Sequence, residues 1–585
     1  KQPVVNPLAA LQGRMPGVNI IQNTGMPGSG FTIEIRGKNS LRNDGNNPLY
    51  IIDGVPYSSQ SIGSSYTSSN MPTEMSPLNS INPSDIETVE VLKDADATAI
   101  YGSRGSNGVV LITTKKGRPG KTSLTASYSY GIGKVTRFKN ILQTPEYLSM
   151  RKEAFLNDGV TQYPANAYDV NGTWDQNRNT DWQKELIGGL SDYTNAQASF
   201  SGGSLQTKFM ISGNYSKETT VFPKSYDYIK AGGHISLNHE SENKKLRINF
   251  SAIYTAQFSS LPSVDLTQTA VRLSPNAPSL YDTYGKLNWE NNTFDNPLAP
   301  LEGNIKGNTY DLLSNALLSY DVGAGFILRS SFGYSDLDQK QLNLQPSTIY
   351  NPSAGVGSEV SSVFTNQINR TSWIIEPQLT WNNNFGKTAI EILLGSTFQQ
   401  QKGDRQVNYA LGFSSNSLME NLSSASSNRV LNSEQSLYRY NAGFARINLN
   451  WDGKYIVNLT GRRDGSSRFG PGKKYANFGA IGAGWVLYKE KFIEENLTFL
   501  SFAKIRGSYG TSGNDQIGDY QYLDTYSSSG INYQGVSGLQ PARLFNNDFG
   551  WESNKKIEVA LETGFIQDRI FTTIAWYANK SSNQL

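Results

Sequence analysis

Glycines at positions 102, 105 and 108 enclose Ser103, Arg104, Ser106 and Asn107, a spacing that could cradle a phosphate. A dinucleotide-binding loop of that kind leads from a strand into a helix. Here the order is reversed. A short helix-like segment (95–101) comes first and the apolar strand VVLITT (109–114) follows. The spacing therefore predicts a turn that packs one layer against another. Arg104 within it is expected to anchor that contact, because a planar guanidinium donates to carboxylates and carbonyls. His234 and His239 are the only two histidines. Five apart on one strand, they fall on opposite faces and cannot share a metal ion, and no Ser–His–Asp set emerges around them. The chain has no cysteine, which removes disulfides, thiolate ligands and a cysteine nucleophile. Asp94 and Asp96 share a strand-to-helix edge without the spacing of a calcium loop. No catalytic residue, metal ligand or cofactor is expected; a structural Ca2+ on a long loop is compatible with the composition but not predicted.

The elements around these residues fall into two regimes. Charged residues make up 17% of the 585, hydrophobic residues 37% and aromatics 11%, a composition too aromatic for disorder and too poor in aliphatics for a helical bundle. A large, mainly β protein fits. The 52 basic and 49 acidic residues are spread along the chain, so no nucleic-acid partner is expected. No apolar run is long enough for a membrane helix. Residues 1–118 read as a compact α+β unit, with strands at 31–36, 49–53, 88–92 and 109–114, a helix start at Asn82-Pro83-Ser84-Asp85, and loops at 39–47 and 58–80. From residue 119 to 585 the period becomes two. In segment 246–254, Leu246, Ile248, Phe250, Ala252 and Tyr254 oppose Arg247, Asn249 and Ser251.

Alternation alone does not separate a membrane barrel from a soluble sandwich, but the connections do. About fifteen strands, each near the roughly ten residues that cross a bilayer at a tilt, are joined alternately by short and long links. The short ones include Asp452-Gly453 and Gln567-Asp568, and the long ones are 134–192, 259–308, 336–370, 400–434 and 511–552. Short turns on one side and long loops on the other are the pattern of an outer-membrane barrel. Aromatics near strand ends (Tyr215, Trp381, Trp451, Tyr455, Trp485, Trp576) suit interfacial girdles. An odd strand count would leave an edge unpaired in lipid, so the barrel is expected to be incomplete within these residues.

The segments LQGRMPGVNI (11–20), MPGSGFTIEIRG (26–37), PLYIIDGVP (48–56) and AIYGSRGSNGVVLITTKKG (99–117) resemble the plug signatures of TonB-dependent outer-membrane transporters, more narrowly the SusC/RagA branch. RRDGSSRFG (462–470), GAGWVLYKEKF (482–492) and IRGSYGTSGNDQIGDYQY (505–522) are similar to the same branch. The resemblance implies an antiparallel transmembrane β-barrel with an N-terminal α+β plug in its lumen, in the outer membrane of a Gram-negative bacterium. It implies TonB-dependent import of a bulky nutrient, an oligosaccharide or a peptide, not bond chemistry. The implied partners are TonB, a SusD-like surface lipoprotein and outer-membrane lipid. The signal, the TonB box and a small β-domain would precede Lys1, and closing strands would follow Leu585, in a barrel of about 22 strands. A surface glycan-binding β-protein without transport activity is the alternative.

On this reading Arg36 sits where the plug loops begin and is expected to contact ligand, with a buried plug salt bridge, for instance to Asp53, as the equal alternative. Asp53 and Arg104 are expected to anchor the plug. Tyr57, Trp174, Trp182 and Trp289 are expected to stack on sugar faces or peptide side chains from plug apices and outer loops. Arg247, Asn249, Arg446, Asn448, Glu558 and Glu562 would line the lumen.

Overall fold

The computed structural model describes residues 4, 6–63 and 76–584. A hairpin of Val18–Gln22 and Phe31–Ile35 opens the chain. A four-stranded mixed sheet follows, in the spatial order Val55–Tyr57, Leu49–Ile52, Val109–Thr114, Ile86–Leu92. Its tight turn is Asp53-Gly54. Both residues take positive φ (49° and 91°) between the paired Ile52 and Val55, as a two-residue hairpin requires. Ile33, Ile35, Ile52, Leu78, Ile81, Val110 and Ile112 make the core of this unit, and Ile253, Leu313 and Ile374 of the surrounding wall join it. Part of the expected 58–80 loop, residues 64–75, lies outside the described residues.

The wall is one antiparallel sheet of fifteen strands in chain order, running from Gly120–Gly133 to Ile570–Ser582. Strand Leu246–Pro262 shows how the sequence sets its faces. Phe250, Tyr254 and Phe258 are exposed outward, while Ile253, Thr255 and Gln257 are buried against the N-terminal unit. Dry-out, polar-in alternation is what a sheet needs when lipid lies outside and a wet, filled lumen inside. Among the described residues the two end strands each pair on one side only.

The links at one end are short. At one of them, Asp452 and Gly453 take φ of 57° and 62°, and Lys454 N–H donates to Trp451 O at 2.9 Å. Outward aromatics gather at this end, with Trp451, Tyr455 and Trp485 stacked at centroid distances of 5.3 and 6.0 Å. At the other end two expected long loops are mostly strand. Phe326–Gln345, Ser362–Phe385, Thr388–Phe413 and Ala425–Trp451 run for 20 to 27 residues, so only 346–361 and 414–424 remain irregular. The Gln-, Asn- and Ser-rich sequence there lost its apolar alternation, but backbone pairing continues beyond the bilayer without it.

Placing arginine at Phe250 is expected to destabilise the inserted sheet by roughly 2–4 kcal/mol, the cost of a lipid-facing arginine near the midplane. Arginine at the neighbouring inward Asn249 should cost far less. Urea unfolding in lipid vesicles reads both, and equal damage would mean that both faces are dry.

Candidate functional site

The N-terminal unit fills the space inside the sheet, and polar side chains from many wall strands reach it. Ser212 donates to Asp85 (2.7 Å), Thr255 to the Ser80 carbonyl (2.7 Å), Lys230 to the Asn79 carbonyl (3.0 Å) and Asn458 to Asp96 (2.6 Å). On other strands, Asn514 donates to the Gly45 carbonyl (3.1 Å) and Arg405 to the Gly63 carbonyl (3.0 Å). Two charge clusters stand out within this interface.

The first is built on Arg36. Its guanidinium lies 2.7 Å from Asp94 and 2.6 Å from Glu558 on the wall, with its carbon 4.3 Å from the centroid of the Tyr577 ring. Arg506 closes the group, at 2.8 Å from Asp94, 2.7 Å from Glu558 and 2.8 Å from Glu562. Burial by itself would raise the Asp94 carboxyl, but its hydrogen bond with Glu558 and the charges of Arg36 and Arg506 hold it below the usual range. Asp96 is pushed up by burial, partly offset by Asn458. Arg36 is therefore not at an apex facing ligand, and it does not pair with Asp53. Its charge is already matched by Asp94 and Glu558.

The second cluster explains the glycine spacing. Arg462 lies 2.5 Å from Asp464, donates to Tyr440 Oη at 2.8 Å, and reaches the Ile100 carbonyl. The Ser103 N–H donates to the other Asp464 oxygen at 2.8 Å. Gly102 sits against this pair: a Cβ there would lie 2.2 Å from Asp464 Oδ2. A Cβ on Gly108 would lie 2.7 Å from Ile35. The glycines thus permit close packing in a turn that bears on the wall. Arg104 is buried, bonds to Gln399 of the wall and lies 4.4 Å over the Tyr440 ring.

The other expected site residues divide. The Asp53 carboxylate stays within its own unit, accepting from Thr114 N–H (2.8 Å) and hydroxyl (2.6 Å), while its carbonyl accepts from Asn315 of the wall. Tyr57 ends a strand and is buried, its hydroxyl donating to Asp311. Trp182 is 1% exposed, at the centre of an apolar cluster formed by the outer loops, and donates to the Ser274 carbonyl at 2.8 Å. Trp174 packs on the same cluster and donates to Thr293 at 3.0 Å. Tyr57 packs in the plug core, and the two tryptophans pack in a core that the long loops build for themselves, which loop-like sequence does not announce. Trp289 differs. It lines an open cavity of about 740 Å3 with Tyr281, Tyr350, Lys224 and Glu302. Arg462, Asp464 and Arg506 were not singled out from sequence, and Asp94 was weighed only as a calcium ligand, although charges at inward positions of RRDGSSRFG were a usable signal.

The TonB-dependent Receptor Plug Domain matches residues 1–109. TonB-dependent receptor P3 of Formosa agariphila is 30% identical over 601 aligned positions, covering 100% of this chain and 55% of its own. TonB-dependent receptor SusC of Bacteroides thetaiotaomicron is 28% identical, covering 98% and 57%. The structure of the RagAB peptide transporter superposes with a TM-score of 0.83 at 23% identity, over 100% of this chain and 66% of that one. Over its whole length the chain is similar to the SusC/RagA-type TonB-dependent receptors. It spans about half the length of the curated relatives it matches. In this receptor the N-terminal unit is the plug, and the two charge clusters are where plug and wall meet. The family and the β-barrel fold indicate the Gram-negative outer membrane.

Proposed function

We propose that this receptor imports a bulky nutrient, an oligosaccharide or a peptide, across the outer membrane, with TonB supplying the pull and a SusD-like surface lipoprotein closing over the ligand. The observation that carries the reading is the plug lodged inside the sheet by polar contacts. Each such bond contributes only about 0.5–1.5 kcal/mol net, so a directed pull can break them in sequence while the resting state stays shut. The likeness to SusC and to the RagAB peptide transporter supports import, and the two names leave both cargo classes in play.

Cells carrying the receptor and its lipoprotein, offered panels of fluorescent oligosaccharides and peptides, should accumulate one class. Depleting TonB should reduce accumulation to background while surface binding persists. Accumulation that continues without TonB would overturn the proposal.

A further inference from the structure

The outward face of the wall carries a site of its own, backed by Gln399 and Tyr440, which meet Arg104 of the plug. Strands Ser362–Phe385, Thr388–Phe413, Ala425–Trp451, Tyr455–Ser466 and Tyr475–Trp485 present a groove of about 390 Å3 lined by Trp373, Phe398, Gln400, Arg439, Asn441 and Tyr475. Glycines shape it. A Cβ on Gly443 or Gly461 would meet nothing within 4 Å, so the wall is hollow there. At Gly465 a Cβ would lie 2.5 Å from the Tyr475 ring, so only glycine lets that ring lie across the groove's end.

Height and charge then point to an occupant. Along Thr388–Phe413 the outward positions read Ile390, Ile392, Leu394, Ser396 and Phe398, and then turn polar at Gln400 and Lys402. The groove thus straddles the upper margin of the apolar band, the level of outer-leaflet headgroups. Arg439 and Lys474 stand at its lip, and the Arg463 guanidinium lies 5.4 Å over the Tyr475 ring. Gln400 accepts from Arg439 Nε at 3.1 Å and fixes its direction. Lys387, Arg446, Arg462 and Arg468 on these strands and links are ion-paired, whereas Arg439, Arg463 and Lys474, like Arg370, Lys402, Arg405, Arg429 and Lys473, are in no ion pair among the described residues. Three unpaired cations above an apolar trough complement an amphiphile with an anionic head.

We propose that this groove binds the phosphorylated headgroup of an outer-leaflet glycolipid, with phosphate on Arg439, Arg463 and Lys474 and an acyl chain over Phe398, Gly443 and Gly461. The inference rests on the outer-membrane reading of the chain. The test uses the protein purified in mild detergent from outer membranes and three probes: bisphosphorylated lipid A, dephosphorylated lipid A and inorganic phosphate. Native mass spectrometry should show bisphosphorylated lipid A retained, with affinity about tenfold or more lower in the triple variant Arg439→Gln/Arg463→Gln/Lys474→Gln, since charge-assisted contacts are lost. The control Lys244→Gln/Lys245→Gln, at a short turn, should bind as the parent does. Equal binding by the triple variant, or equal binding of dephosphorylated lipid A, overturns the proposal. Displacement by millimolar inorganic phosphate alone would also overturn it, by showing a free-anion site. If the triple variant does not assemble, Arg439→Gln alone should still give an intermediate loss, and unchanged binding counts against the groove. A parent protein absent from the outer-membrane fraction defeats the membrane reading itself, whereas one present there that retains no lipid A defeats only this proposal.

Discussion

Replacing Arg462 with alanine is expected to weaken the hold of wall on plug by about 3–5 kcal/mol, the usual cost of breaking a buried ion pair on one side. The side chains of Arg462 and Asp464 are 2% and 0% exposed. Without the guanidinium, Asp464 keeps only the Ser103 N–H as a neutral donor, and the Ile100 carbonyl loses its partner from the wall. A buried carboxylate with half its partners gone has no water to replace them. The exposed pair Lys387–Asp452, at 3.0 Å between two neighbouring short turns, is the contrast. Removing Lys387 should change stability by about 0–1 kcal/mol, because solvent already screens that pair. The double variant Arg462→Met/Asp464→Leu should recover part of the loss by removing the stranded charge along with its partner. Urea-dependent proteolysis of the plug in the assembled protein measures all three. An Arg462→Ala plug released at the parental urea concentration would mean that this cluster does not hold the gate.

The sequence carried the sheet plainly and the site only in part, for a physical reason. Strand faces are written in a local code of period two, so Phe250 outward and Ser251 inward follow from a handful of neighbouring residues. Turn chemistry is local too, which is why Asp452-Gly453 was legible. The expected loops at 336–370 and 400–434 failed because the code reports lipid, not pairing. Above the bilayer the strands persist with polar residues on both faces. Site residues depend on partners hundreds of positions away: Arg36 meets Glu558, Ser103 meets Asp464, and Arg104 meets Gln399. No spacing rule reaches that far. Arg104 was expected from its reversed glycine context to meet the wall, and it bonds to Gln399 there. The tryptophans misled because an exposed aromatic that grips ligand and a buried one that cores a loop share the same local sequence. Trp182 and Trp289 differ in burial, not in neighbours.

Deleting residues 1–116 from the complete protein should turn a plugged lumen into a large, poorly selective conductance in planar bilayers. The inward face left behind is not an apolar surface that would collapse. Ser212, Thr255, Gln257, Asn315, Gln399, Asp464 and Glu558 all point into the space the plug occupies, and each would be rehydrated at little cost. Ile253, Leu313 and Ile374 on the plug core, and Leu337 and Ile368 on Ile62, are apolar exceptions among the described residues, and they are too few to close a lumen. The sheet keeps its own backbone ladder without the plug, so the wall should persist while its contents are gone. The outer loops offer the rival gate. Their cluster around Trp182, Leu266 and Phe294 is a packed apolar core formed over the same end of the sheet, and Met26 of the plug reaches into it. If that roof is the barrier, the plugless protein stays electrically silent, and conductance appears only when the Trp182 cluster is broken as well. Recording the plug deletion with and without Trp182→Ala separates the two. A silent single deletion would move the gate from the plug to the loops.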